Sequence, residues 1–130
     1  MASAALETVR QFVASLSAGD LATCNTLVAD DLVFAEAECL PFGGEWKGKD
    51  GLVGMLTAVS KAYRIKLGEP VISDAGDRVL VRVSGSISSR ATGRSLPLDA
   101  VDVYTVTDGL ISRVDVYYKD AAAVAALCDG

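Results

Sequence analysis

The chain has 130 residues, 51% of them hydrophobic, with 12 Lys and Arg against 17 Asp and Glu and no histidine. A formal charge of −5 with no basic cluster excludes the positive footprint that nucleic acid or an anionic membrane surface requires, and no apolar run is long enough to span a bilayer. The missing histidine excludes Ser-His-Asp and Cys-His catalysis and imidazole ligation of zinc or iron, so acid–base work falls to carboxylates, tyrosine, lysine or cysteine.

Leu6, Val9, Phe12, Val13 and Leu16 make a helical stripe over residues 4–17, ended by Ser17-Ala18-Gly19. Asp20 caps a second helix with Leu21, Cys24, Leu27 and Val28 on one side, which Asp30-Asp31 breaks. Residues 32–40 alternate as a strand, with Leu32, Phe34, Glu36, Glu38 and Leu40 on one face. The Pro and Gly content of residues 41–48 predicts a loop, and Asp50 opens a third helix with Leu52, Val53, Leu56, Val59 and Tyr63 as its apolar face. Strands follow at about 65–74, 78–88, 96–107 and 110–118, then a short Ala-rich helix at 120–127. Helices followed by consecutive strands predict an α+β architecture, a curved antiparallel sheet wrapped around N-terminal helices, in one domain of residues 1–130. Cys24, Cys39 and Cys128 have no metal-type or redox-type spacing and read as small buried or half-buried thiols.

Asp102 is the anomaly, a carboxylate inside the apolar strand Leu98-Asp99-Ala100-Val101-Asp102-Val103-Tyr104. Such a group needs a structural partner or serves chemistry in a dry pocket. Its face depends on the following hairpin. A two-residue Asp108-Gly109 loop pairs Asp102 with Asp115 and turns it outward. A three-residue loop with Gly109 in a bulge sets Asp102 opposite Val114, on one side with Tyr104, Val116 and Tyr118. Like charges directly opposite one another disfavour the first.

Phe12 to Asp20 with the second helix, Asp30-Asp31, the loop Pro41-Phe-Gly-Gly-Glu-Trp-Lys-Gly48 opening a helix, and the paired strands Val101 to Ile111 and Val116 to Asp120 together resemble the SnoaL-like polyketide cyclase family. That family belongs to the superfamily of nuclear transport factor two and ketosteroid isomerase. The resemblance implies a cone-shaped fold and places Asp102 where ketosteroid isomerases carry an oxyanion-holding Asp. It places Glu36 at their catalytic base, five residues beyond Asp31. Their oxyanion Tyr falls on Phe12, which has no hydroxyl. The resemblance also favours the inward arrangement of Asp102.

The expected function is therefore cofactor-independent acid–base chemistry next to a carbonyl, isomerisation or aldol cyclisation of an apolar polyketide- or steroid-like molecule, with no metal. Glu36 takes the proton and protonated Asp102 donates to the enolate oxygen, or the roles are exchanged. Phe12, Glu38, Trp46, Tyr63, Tyr104 and Tyr118 are the candidate substrate-binding residues. Each tyrosine reads either as a donor to a carbonyl or as a core aromatic, and Glu36 and Glu38 either line the cavity or fray outward into water. The other expectation is a non-catalytic ligand-binding or dimerisation module of the same fold. A homodimer would use an outer surface of Val101, Val103, Ile111 and Tyr117. The N-terminal residues lack the basic start of a signal peptide, which predicts a cytoplasmic protein.

Overall fold

The helical stripe at the N-terminus forms as its spacing dictates: Leu6, Val9 and Phe12 are the residues that α1 (Ala4–Ser17) buries, and the Ser3 hydroxyl caps it by accepting from Leu6 N at 3.0 Å. The computed structural model describes residues 3–129; Met1, Ala2 and Gly130, included in the expected unit 1–130, lie outside them. After α2 (Leu21–Thr26) come β1 (Val28–Glu36), β2 (Gly44–Lys47), α3 (Gly48–Ala62), β3 (Tyr63–Leu67), β4 (Val71–Asp74), β5 (Val79–Ser89), β6 (Ser95–Thr107), β7 (Leu110–Tyr118) and α4 (Ala121–Ala126). The strands form an unclosed, curved sheet in the order β2-β1-β7-β6-β5-β3, with β4 also on β5. Every pairing is antiparallel except β1 with β7, which is parallel.

Several expected boundaries move. Asp30-Asp31 does not break a helix but lies within β1, both side chains exposed, and Val28 opens that strand, buried in the core. The strand stops at Glu36 because the backbone turns there, Leu40 N donating to Ala37 O at 3.1 Å, so Glu38 and Leu40 leave the strand face. Part of the expected loop is strand β2, which pairs Trp46 with Phe34. Tyr63 belongs to β3 rather than to the preceding helix. The expected 65–74 strand is two, interrupted by Gly68-Glu69-Pro70, whose proline lacks a donor for the ladder. Both halves pair with β5, which passes from one to the other at Gly85; its φ is 151°, and a Cβ there would meet Lys66 O.

The β6–β7 hairpin combines the two arrangements that the sequence offered. Asp108 (φ 52°) and Gly109 (φ 81°) form a two-residue turn that pairs Thr107 with Leu110. The register then shifts between Thr105 and Val106: Val106 pairs with Ile111, but Thr105 pairs with Arg113, leaving Ser112 as an extra residue in β7. Asp102 consequently faces neither Asp115 nor Val114 but Val116. The two-residue turn sets Ile111 opposite Val106, and Ile111 is fully buried in the core, so it is not part of the outer surface on which it was expected.

Two apolar clusters fill the space under the sheet. The larger joins α1, α3 and the middle of the sheet, and Phe12 meets Tyr104 edge to face there, with ring centroids 5.9 Å apart. The smaller gathers Leu40, Phe42, Tyr63, Ile87 and Leu98 under Val124 and Leu127 of the C-terminal segment. Trp46, Val59 and Val83 pack against both.

Candidate active site

Strand register arranges the inner sheet face in rows. One row runs Val79, Tyr104, Val114, Phe34, all buried. The next runs Val81, Asp102, Val116, and Glu36 comes level with Val116 one residue beyond the pair Ala35↔Asp115. A third runs Val83, Ala100, Tyr118. The two acids thus occupy one row on the concave face, on either side of Val116 and two strand spacings (about 10 Å between backbones) apart. Residue alternation makes this inevitable once Ser112 has set the phase of β7.

Both carboxyls are half-buried among valines and aromatics. Burial pushes Asp102 up to about 7, and no protein group among the described residues donates a hydrogen bond to it. Glu36 is pushed up to about 8, first by burial and further by the charge of Asp102, against the opposing effect of the Tyr118 hydroxyl, which donates to its Oε1 at 2.9 Å. Tyr118 itself is held far above the ordinary phenol range by burial and by the Glu36 carboxylate, so it stays a donor. Tyr104, fully buried in the neighbouring row, is likewise raised by burial, with Asp102 the next cause. Around neutral pH the pair holds one proton and one negative charge, which supplies an acid and a base without histidine.

The structure gathers Asp102, Glu36, Tyr104 and Tyr118 and distributes the other candidates elsewhere. Phe12 packs on Tyr104. Glu38 is exposed in the turn after β1. Trp46 lies against Gly54 of α3, where a Cβ would come within 3.2 Å of its ring, and its Nε1 donates to Phe42 O at 2.9 Å. Tyr63 is buried in the smaller cluster and donates to Val124 O at 2.8 Å, tying the C-terminal helix to the sheet. Among the described residues, no group of three or more His, Cys, Asp or Glu side chains could hold a metal ion. Five prominent recesses of the surface leave out Glu36 and Asp102, whereas Tyr118 reaches the edge of two of them. The bond between Tyr118 and Glu36 escaped the sequence reading because it spans the parallel β1–β7 pairing, which no local pattern announces. The bulge did leave a trace: apolar residues at 111, 114, 116 and 118 lose their alternation at Ser112-Arg113.

A curved sheet folded over helices, with ionisable groups on its concave face, defines the class of small α+β cones typified by nuclear transport factor two. Within it, the chain belongs to the SnoaL-like domain family, which it matches over residues 9–114. Among solved structures it resembles a nuclear-transport-factor-two-like protein from Burkholderia xenovorans LB400 (24% identity, 95% of each chain, TM-score 0.85). It also resembles TerC, crystallised with polyporic acid (22% identity, 98% of this chain and 100% of that one, TM-score 0.78). A third is a protein assigned as a polyketide cyclase from Silicibacter sp. TM1040 (21% identity, 95% of this chain and 94% of that one, TM-score 0.77). A search of curated proteins finds no match. No helix among the described residues is long and apolar enough to cross a membrane.

Proposed function

We propose that the protein is a cofactor-independent acid–base enzyme that moves a proton next to a carbonyl in an apolar, polyketide- or steroid-like molecule, giving isomerisation or intramolecular aldol closure. The observation that carries this reading is the row Asp102–Val116–Glu36, two carboxyls on the concave face with proton affinities raised to about 7 and about 8. The SnoaL-like membership and the fold relatives assigned as polyketide cyclases support the substrate class. Asp102 ionises first and takes the α-proton. Glu36, still protonated and oriented by Tyr118, donates to the developing enolate oxygen. This is the exchanged form of the role assignment that the sequence preferred, and its physical basis is the added repulsion that an Asp102 carboxylate exerts on Glu36. A donor aimed at developing charge in a water-poor site contributes on the order of 3 kcal/mol to the barrier, and a positioned base a further factor of about a hundred or more.

The test is deuterium incorporation from D2O into a panel of polycyclic ketones, followed by mass spectrometry. Enzyme-dependent exchange at the α-carbon that falls about a hundredfold in Asp102→Asn, with the fold intact by circular dichroism, is the expected result. Equal exchange in the wild type and the variant removes Asp102 from the chemistry. We further propose that two copies associate through the outer sheet face around the pair Val101–Tyr117, where Tyr117 is 62% exposed; light scattering reports the mass directly.

A further inference from the structure

The turn after β1 and the C-terminal segment face one another across a recess of about 500 Å³, with Cys39, Leu40 and Pro41 on one wall and Ala122, Ala125 and Cys128 on the other. Cys39 is exposed at the turn, and Cys128 lies just past α4, half-buried and packed against the smaller cluster. The third thiol is segregated from them: Cys24 is fully buried beneath α1, its Sγ 3.9 Å from Phe12 O.

We propose that Cys39 and Cys128 are a redox pair whose disulfide staples the C-terminal helix to the β1–β2 turn. A second observation relates both thiols to one buried group. The Tyr63 hydroxyl, pushed up first by burial, is raised further by Cys128 and then by Cys39, so both thiols lie at the end of the sheet where this phenol is buried. The helix between them gains from such a clasp. The α4 segment Ala121–Ala126 is too short to be stable alone, and side chains hold it: Tyr63 donates to Val124 O, Thr92 Oγ1 to Leu127 O at 2.6 Å, and Arg94 to Ala126 O at 3.0 Å and to Asp129 O. Opening or stapling it exposes or seals the smaller cluster, against which Tyr118 packs.

With glutathione disulfide as the oxidant, the exposed Cys39 thiolate attacks one of its sulfurs, forming a mixed disulfide and releasing one glutathione thiolate. The Cys128 thiolate then attacks the Cys39 sulfur and releases the second glutathione. Two protein thiols have lost two electrons and two protons, and one glutathione disulfide has become two thiols.

The experiment oxidises the full chain with glutathione disulfide, alkylates the remaining thiols under denaturing conditions, and digests after glutamate, which separates Cys39 from Cys24 between Glu36 and Glu38. Expected are a peptide pair joined through Cys39 and Cys128 in a chain of unchanged mass class on non-reducing gels, a single alkylated thiol at Cys24, and a melting temperature about 5 °C higher that a reductant reverses. Cys39→Ser and Cys128→Ser each abolish both signals. Stable glutathione adducts on the separate thiols, a link to Cys24, or a link between chains overturns the proposal. None of these readouts depends on Asp102 or Glu36, so the clasp and the acid–base reading fail independently.

Discussion

Tyr118 lends Glu36 a hydrogen bond of 2.9 Å that opposes the larger effect of burial. Removing the hydroxyl in Tyr118→Phe therefore raises the Glu36 midpoint further, by about one unit, because a hydrogen bond to an ionised group is worth on the order of 1.5 kcal/mol. Asp102 takes no bond from Tyr118, so its midpoint stays near 7. Carboxyl-carbon NMR of the variant checks both, and a Glu36 midpoint that falls or stays in place contradicts the assigned contact. At this scale the sequence was most informative where a residue broke its context. An Asp in a valine strand and a Glu beside Phe34 announce themselves by the cost of burying charge. Phe12, Trp46 and Tyr63 carried no such signature: a large aromatic is as much at home packing a core as touching a ligand, and these three pack.

The hairpin that aims Asp102 depends on two local features of different strength. The turn uses left-handed backbone at Asp108 and Gly109, so Gly109→Val costs about 1–2 kcal/mol through the Cβ clash, whereas Asp108→Asn is neutral or slightly stabilising; urea unfolding measures both. Deleting Ser112 tests the register itself. It removes the extra residue but leaves Val106 opposite Ile111 and Thr105 opposite Arg113, so Asp102 stays opposite Val116. Val114, Val116 and Tyr118 then keep the inner face, and the product is expected to unfold cooperatively with Asp102 still titrating near 7. A Ser112 deletion that loses cooperative unfolding, or in which Asp102 titrates near pH 4, contradicts the register. Turn residues and strand periodicity made both hairpin strands legible in advance. The bulge was not, because loop length and strand phase were read as a single choice, whereas the chain uses a short turn and corrects the phase three residues later. The same separation of local and long-range information explains β1. Its start at Val28 comes from docking beside β7, a non-local pairing, and it overrides the helix-breaking reading of Asp30-Asp31.

For the molecule as a whole, the half-buried acids make stability depend on pH in a direction opposite to ordinary acid denaturation. Both carboxyls bind protons more tightly in the folded than in the unfolded state, so between about pH 4 and pH 8 the native chain holds more protons. Their contribution is fully present below the unfolded midpoints and is lost as pH rises through 7 and 8. The protein is therefore less stable at pH 9 than at pH 5, and the variant carrying Asp102→Asn with Glu36→Gln loses that slope and is the more stable chain at pH 9. Denaturant melts at the two pH values test this. The curved sheet on helices followed from the order of the elements, since few architectures bury both the helical stripe and an alternating sheet, and the cone shape from the family resemblance.

The two-carboxyl site rests most directly on the proton affinities of Asp102 and Glu36, read residue by residue from the carboxyl-carbon shifts of the wild-type protein across pH 3 to 10. Midpoints near 7 for Asp102 and near 8 for Glu36 are the predicted result. Both groups titrating near pH 4, as solvated carboxylates do, contradicts a dry acid–base pair on the concave face.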